Sequence, residues 1–154
     1  MTSPTIRELL SYRLHRVANL LSRGAEMRYR REFGVSLWEW RSVALLGGAG
    51  EPQSLNELAR AAGMDKGQMS RVVSGLNRKK IVFRETDASD GRGIRLSLTP
   101  AGKKLYQKLI AAAAERNSAF LGCLSARERD CLEQAMTKLA HEAKSFIQQE
   151  KRTR

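Results

Sequence analysis

The chain has 154 residues, enough for one domain or one core with an extension. Its 42% apolar content is ordinary for a globular protein, and no apolar run approaches the roughly 18 residues of a membrane span. Twenty-eight Lys and Arg against sixteen Asp and Glu leave a net charge of +12 and a pI near 10.4.

That charge points to a polyanionic partner, because each phosphate neutralised by a cation releases condensed counterions. Nucleic acid and an acidic membrane surface compete for the role. A membrane surface would want a basic amphipathic helix or a lipidation signal, and neither stands out. The start, Met1 to Glu8, lacks the basic-then-apolar pattern of a secretory signal, so the expectation is a cytoplasmic protein with no membrane partner. Cys123 and Cys131 lie in helical sequence and read as small packing residues, not as a disulfide framework or a redox pair. His15 and His141 are the only histidines, and no phosphate loop, metal-ligand cluster or nucleophile motif accompanies them. No enzyme activity, catalytic residue, metal or cofactor is expected.

In chain order, a long helix runs from about Ile6 to Phe33 and ends at Gly34. Ser36-Leu-Trp-Glu39 is a capping box that opens a short helix, which the Gly47 to Pro52 stretch closes. Ser54-Leu-Asn-Glu57 opens the next, Gly63 marks a tight turn, and Asp65-Lys-Gly-Gln68 starts a further helix over Lys66–Lys79. The period then changes to two. Ile81 to Glu85 reads as a strand, and Ile94, Leu96 and Leu98 alternate with Arg95 and Ser97 as its partner. The polar, glycine-bearing segment 87–93 joins them as a hairpin tip. Thr99-Pro100 and Ser125-Ala-Arg-Glu128 start two long helices, over about 101–121 and 126–149.

Two short helices joined by a tight turn and followed by a hairpin make a winged helix-turn-helix. The expected fold is mainly α, with a two-stranded β-hairpin wing. On the second helix Met69, Val72, Val73 and Leu76 recur at helical spacing and face inward. Lys66, Gln68, Ser70, Arg71, Ser74 and Arg78 remain outside, with Gly67 and Gly75 between them. Arg pairs bidentately with guanine and Gln with adenine, so Gln68, Ser70, Arg71 and Ser74 suit base edges in a major groove. Ser54, Asn56, Lys66 and Arg78 suit phosphates. An ordinary solvated helix face would carry similar residues. The two glycines, each costing about 1 kcal/mol relative to Ala, tip the reading toward a helix that approaches another surface closely. At the hairpin tip Arg92 suits a narrow minor groove, Asp90 can hold its guanidinium, and Arg95 lies beyond.

The stretches Leu55 to Met64, Met69 to Leu76, and Asp90-Gly-Arg92 leading to Leu96-Ser-Leu-Thr-Pro-Ala-Gly102 resemble the MarR family of regulators. The resemblance covers nearly the whole chain and is most specific from wing to following helix. It departs at Gly91 and Gly93, which bracket Arg92 where relatives often carry bulkier or basic residues. It implies one MarR-like domain over 1–154, with a DNA-binding lobe at 36–99 and dimerisation helices at 5–33 and 100–149. It also implies a homodimer on a pseudo-palindromic duplex operator, and repression relieved by a small molecule. Apolar stripes at Ile6, Leu9 and Leu10, and at Leu132, Met136, Leu139, Ala143, Phe146 and Ile147, support the dimer independently, since such stripes must bury against something.

Family effectors are often aromatic acids, which points to His15, Arg16, Asn19 and Trp40, with Tyr12, Trp38 and Arg41 nearby. Trp40 as plain core and His15 and Arg16 as interfacial or solvated side chains remain open beside that reading. The reading from another class is a sequence-neutral architectural nucleic-acid binder. It fits the charge, but the mixed Gln, Ser and Arg face and the lack of an aromatic stacking platform weigh against it.

Overall fold

A computed structural model describes residues 4–86 and 93–153. A short 3-10 turn, Ile6–Glu8, comes first, with Thr5 and Glu8 as its capping box. Leu9 is extended (φ −67°, ψ 135°), so the first helix, α1, starts only at Leu10 and runs to Phe33. The expected continuous helix from Ile6 is therefore broken at Leu9, where a second cap unrecognised in the sequence, Thr5-Ile-Arg-Glu8, takes the backbone out of register. Then follow α2 (Leu37–Gly48), β1 (Gln53–Ser54), α3 (Leu55–Ala62), α4 (Lys66–Arg78), β2 (Val82–Thr86), β3 (Ile94–Leu98), α5 (Pro100–Gly122) and α6 (Ala126–Arg152).

The capping chemistry is present where the sequence places it. Ser36, Ser54 and Ser125 each accept from the backbone N–H three residues on, and the Glu there bonds back to the serine N–H. Asp65 accepts from the Gln68 N–H at 2.9 Å. Gly63, at φ +65°, is the left-handed residue that ends α3 and lets α4 leave in a new direction.

The sheet has three strands and not two. β1 adds to the hairpin in the order β1-β3-β2, pairing Gln53 with Leu96 and Ser54 with Arg95. Two residues show no periodicity, so this strand exists only because β3 offers it an edge. β2 and β3 pair antiparallel from Val82↔Leu98 to Thr86↔Ile94.

The chain divides into two compact units, Met1–Ala111 and Ala112–Arg154, with α5 running through the division. The first unit holds a single core. Tyr29 of α1, Val43 of α2, Leu58 of α3, Met69, Val73 and Leu76 of α4, Val82 and Leu96 of the sheet, and Leu109 of α5 are all buried. Burying each such side chain contributes roughly 1.5–3 kcal/mol. Val72, expected inside with its neighbours, is half-buried. In the second unit no residue of α6 is buried.

Two close approaches lock α5 to this core. Tyr106 lies so near Gly47 that a Cβ there would sit 2.5 Å from its ring, which is why α2 carries glycine inside its last turn. Gly102 lies against the Ile81 carbonyl, and a Cβ would overlap that oxygen. Gly102→Ala should therefore destabilise the fold by roughly 1–3 kcal/mol, read as a lower denaturant midpoint at unchanged slope. An unchanged midpoint would show that α5 can slide away from Ile81.

Candidate nucleic-acid interface

The second helix of the helix-turn-helix, α4, is held from three sides. Its apolar face packs on α2, α3 and the sheet through Met69, Val73 and Leu76. At its C-terminus Lys79 Nζ lies 2.7 Å from Glu39 Oε1 and 3.3 Å from the Gly34 carbonyl oxygen, tying it to the α1–α2 corner. Asn77 Nδ2 donates to the Val82 carbonyl at 2.9 Å, and the Ile81 N–H donates to the Leu76 carbonyl at 2.9 Å, joining α4 to β2. Lys80 takes a left-handed φ of 58° between them. For a residue with a side chain this costs about 1–2 kcal/mol, and the bonds on either side hold it.

The outer face is assembled from residues at three- and four-residue spacing. Ser70, Arg71, Ser74, Asn77 and Arg78 line a crevice of 460 Å³, whose far wall is Arg84 of β2. Four of the residues expected to contact DNA, Ser70, Arg71, Ser74 and Arg78, are thus gathered in one concavity. The two serines are half-buried and the arginines exposed. Lys66 and Gln68 are exposed in the first turn of the same helix, outside this crevice. Arg84 was not among the sequence candidates. The signal for it was its place in the period-two strand beside Val82.

The remaining candidates fall elsewhere. Ser54 caps α3 and Asn56 is exposed in its first turn. Arg95 is engaged within the lobe, its Nη1 lying 3.4 Å from Glu57 Oε2 on α3. Asp90 and Arg92 lie outside the described residues. A Cβ at Gly75 would make only an ordinary contact, 3.8 Å from Glu39 Oε1, so no close approach within the lobe requires glycine there. Gly67 would meet only Asp65 Oδ1, at 3.2 Å.

Of the effector candidates, His15 and Asn19 are brought together and Trp40 lies in a different crevice. Asn19 Nδ2 lies 2.8 Å from His15 Nε2 on the exposed side of α1. Trp40 instead stacks obliquely on Tyr29, ring centroids 5.0 Å apart, and lines a 360 Å³ crevice with Arg41, Ala44, Leu45, Ala61 and Ala62. That crevice contains neither His15, Arg16 nor Asn19. Arg41 is positioned over Trp38 at 4.8 Å and donates to Ser22 Oγ at 3.2 Å. Among the described residues no group of three or more His, Cys, Asp or Glu is placed to hold a metal, and no helix is long and apolar enough to cross a membrane. Both cysteines are exposed, which corrects the reading of them as packed residues. They lie in the second unit, where α6 has no buried face to receive one.

A helix-turn-helix backed by a small antiparallel sheet, with a cationic crevice where the second helix meets the wing strand, defines a winged helix-turn-helix protein. Residues 33–93 match the MarR family model. The chain is similar to a MarR/EmrR family transcriptional regulator of Acinetobacter sp. ADP1, at 27% identity over 92% of this chain and 99% of that one, with a TM-score of 0.83. A MarR family transcriptional regulator of Silicibacter pomeroyi DSS-3 is 25% identical over 89% and 99%, with a TM-score of 0.74. S. aureus MepR in its complex with DNA shares the fold at 22% identity, covering 87% and 98%, with a TM-score of 0.78. The chain is thus similar over most of its length to MarR family transcriptional regulators, and its residues 33–93 carry the match to the family model.

Glu57 links the capping of α3 to this lobe. The Ser54 backbone N–H and hydroxyl, followed by the charges of Arg95 and Arg60, hold its carboxyl below the usual 4.5. A depressed folded value stabilises the protein above the unfolded value and stops doing so as pH falls through the folded one. Glu57→Gln should therefore be less stable than the parent at pH 7, with the difference closing in denaturant melts carried below about pH 4. A difference independent of pH would show that the ionised carboxylate contributes nothing.

Proposed function

We propose that this chain is a homodimeric, sequence-specific regulator that reads duplex DNA through α4 and acts as a repressor released by a small effector. The observation that carries the reading is the outer face of α4. Ser70, Arg71, Ser74 and Arg78 stand together around one concavity, and neither arginine is paired with a carboxylate among the described residues. A helix of 10–12 Å diameter fits a major groove about 12 Å wide. Ser70, Arg71, Ser74 and the nearby Gln68 then meet base edges, while Ser54, Asn56, Lys66 and Arg78 meet phosphates. Arg92, oriented by Asp90, enters the flanking minor groove. Arg95, which lies 3.4 Å from Glu57 on α3, stays among the proposed DNA contacts.

Selection of bound sequences from a random duplex pool at near-physiological salt tests this. A two-fold symmetric motif with half-sites about 34 Å apart is expected. Arg71→Ala should then cost about 1–3 kcal/mol, confined to one base position. No enrichment, with binding that falls uniformly as salt rises, would leave the architectural reading in its place.

The dimer is supported by apolar surface that neither unit buries within itself. Leu10, Leu14, Val17 and Leu20 (65% exposed) stripe α1, and Leu132, Met136, Leu139, Phe146 (59% exposed) and Ile147 stripe α6. Exposed apolar stripes of this extent mark an interface. Phe146→Glu with Leu139→Glu should give a monomer by sedimentation and weaken binding to the two-half-site duplex by roughly 100-fold or more, as avidity is lost. A double variant that remains dimeric would remove α6 from the interface.

For the effector, the crevice of Trp40 and Arg41 offers an aromatic wall and one guanidinium, which suits a small aromatic carboxylate. Such a ligand releases DNA only if it binds better to a dimer whose recognition helices miss the one-turn spacing.

A further inference from the structure

We infer that the crevice between α4 and β2 is a seat for a DNA backbone phosphate, and that Arg84 is the wing-strand side of the clamp that closes on it. The inference rests on the DNA-binding reading above and adds to it a residue and a division of labour.

The position of Arg84 follows from strand geometry. Side chains alternate along β2, so Val82, Arg84 and Thr86 share one face while Phe83 and Glu85 share the other. Val82 is buried, and Leu96, the cross-strand partner of Arg84, is buried as well. Arg84 therefore stands on the face that packs against α4, one step beyond where the core runs out, and is itself exposed. Glu85, its neighbour in sequence, is carried to the opposite face.

Three arginines line this one crevice. Arg71 and Arg78 reach the crevice from α4 and Arg84 from β2, with Ser70, Ser74 and Asn77 as the neutral lining. The lining contains no carboxylate, and none of the three arginines has an ion pair among the described residues. Three like charges around 460 Å³ repel one another, and a counter-anion relieves that repulsion. Asn77 is committed to the Val82 carbonyl, which keeps helix and strand at a set separation. Arginine on an edge strand also discourages strand pairing. That role is indifferent to what stands opposite, and does not explain an arginine that shares a crevice with two others.

The choice of phosphate over base follows from size. A helix of about 10–12 Å occupies a groove of about 12 Å, so a side chain from a strand beside that helix meets the rim, where the phosphodiesters run. Arg78, one turn on from Ser74, shares that rim. Arg71 and Ser70, about two turns nearer the N-terminus of α4 than Arg78, border the crevice on the side left to the bases.

The test compares the parent chain, Arg84→Ala and Arg84→Lys on the selected duplex and on single-base variants of it, across a salt series. Each neutralised phosphate contributes about 0.9 to the slope of log K against log salt. Arg84→Ala should lower that slope by about 0.9 per bound protomer, or about 1.8 for a two-armed dimer. Near 0.1 M salt the affinity should fall on the order of tenfold per lost contact, equally on every sequence. Arg84→Lys should keep the slope, since a point charge suffices for a phosphate. Should the alanine variant fail to fold by its melting curve, Arg84→Gln is read in its place. An unchanged slope, or a loss confined to one base position, overturns the proposal while leaving the DNA-binding reading intact. A parent chain that binds no duplex overturns both.

Discussion

The geometry of the lobe depends on one polar knot beneath the sheet. Thr99, 7% exposed, donates through Oγ1 to the Lys80 carbonyl at 2.7 Å and accepts from the Gly102 N–H at 2.9 Å. Its own N–H donates to the Ile81 carbonyl at 3.0 Å, and Gly102 packs on that same carbonyl. A few atoms thus fix the end of α4, the start of β2, the end of β3 and the first turn of α5. Each bond contributes a modest net stability of about 0.5–1.5 kcal/mol, but leaving one of these buried groups unpaired costs about 1–3 kcal/mol. That asymmetry makes the knot a constraint on direction more than a source of strength. It also explains why Lys80 tolerates a left-handed backbone there.

With that corner fixed, α4 can be aimed. Lys79 reaches across to Glu39, which also caps α2, so one carboxylate serves both the start of one helix and the end of another. The outer face of α4 is consequently rigid in its setting while its own side chains remain exposed. A reading surface needs that combination: fixed backbone direction, and polar groups that are satisfied only when a partner arrives.

The two units divide their apolar content differently. In the first, Tyr29, Val43, Met69 and Leu96 close a core that satisfies the helix-turn-helix on its own. In the second, α6 buries nothing, although its apolar residues repeat at helical spacing. Periodicity in the sequence declares that a face will be covered, but not by what. The unit that contains α6 does not bury that face, and the homodimer proposed above rests on that.

The sequence by itself determined the elements whose causes are local. Ser36, Ser54, Asp65, Thr99 and Ser125 start helices because a hydroxyl or carboxylate meets backbone N–H groups three residues on, and Gly34 and Gly63 end them because the left-handed turn favours glycine. The apolar spacing of Met69, Val73 and Leu76 fixed which face of α4 looks outward, and with it Ser70, Arg71, Ser74 and Arg78. What depends on residues far apart in sequence was decided only by the tertiary structure. β1 is a strand because Leu96 and Arg95 lie beside it. Arg95 is held by Glu57, and Trp40 is separated from His15, by the way helices and sheet meet. Arg84 joins Arg71 and Arg78 for the same reason: strand and helix periods place each side chain on a face, but only packing brings two faces together.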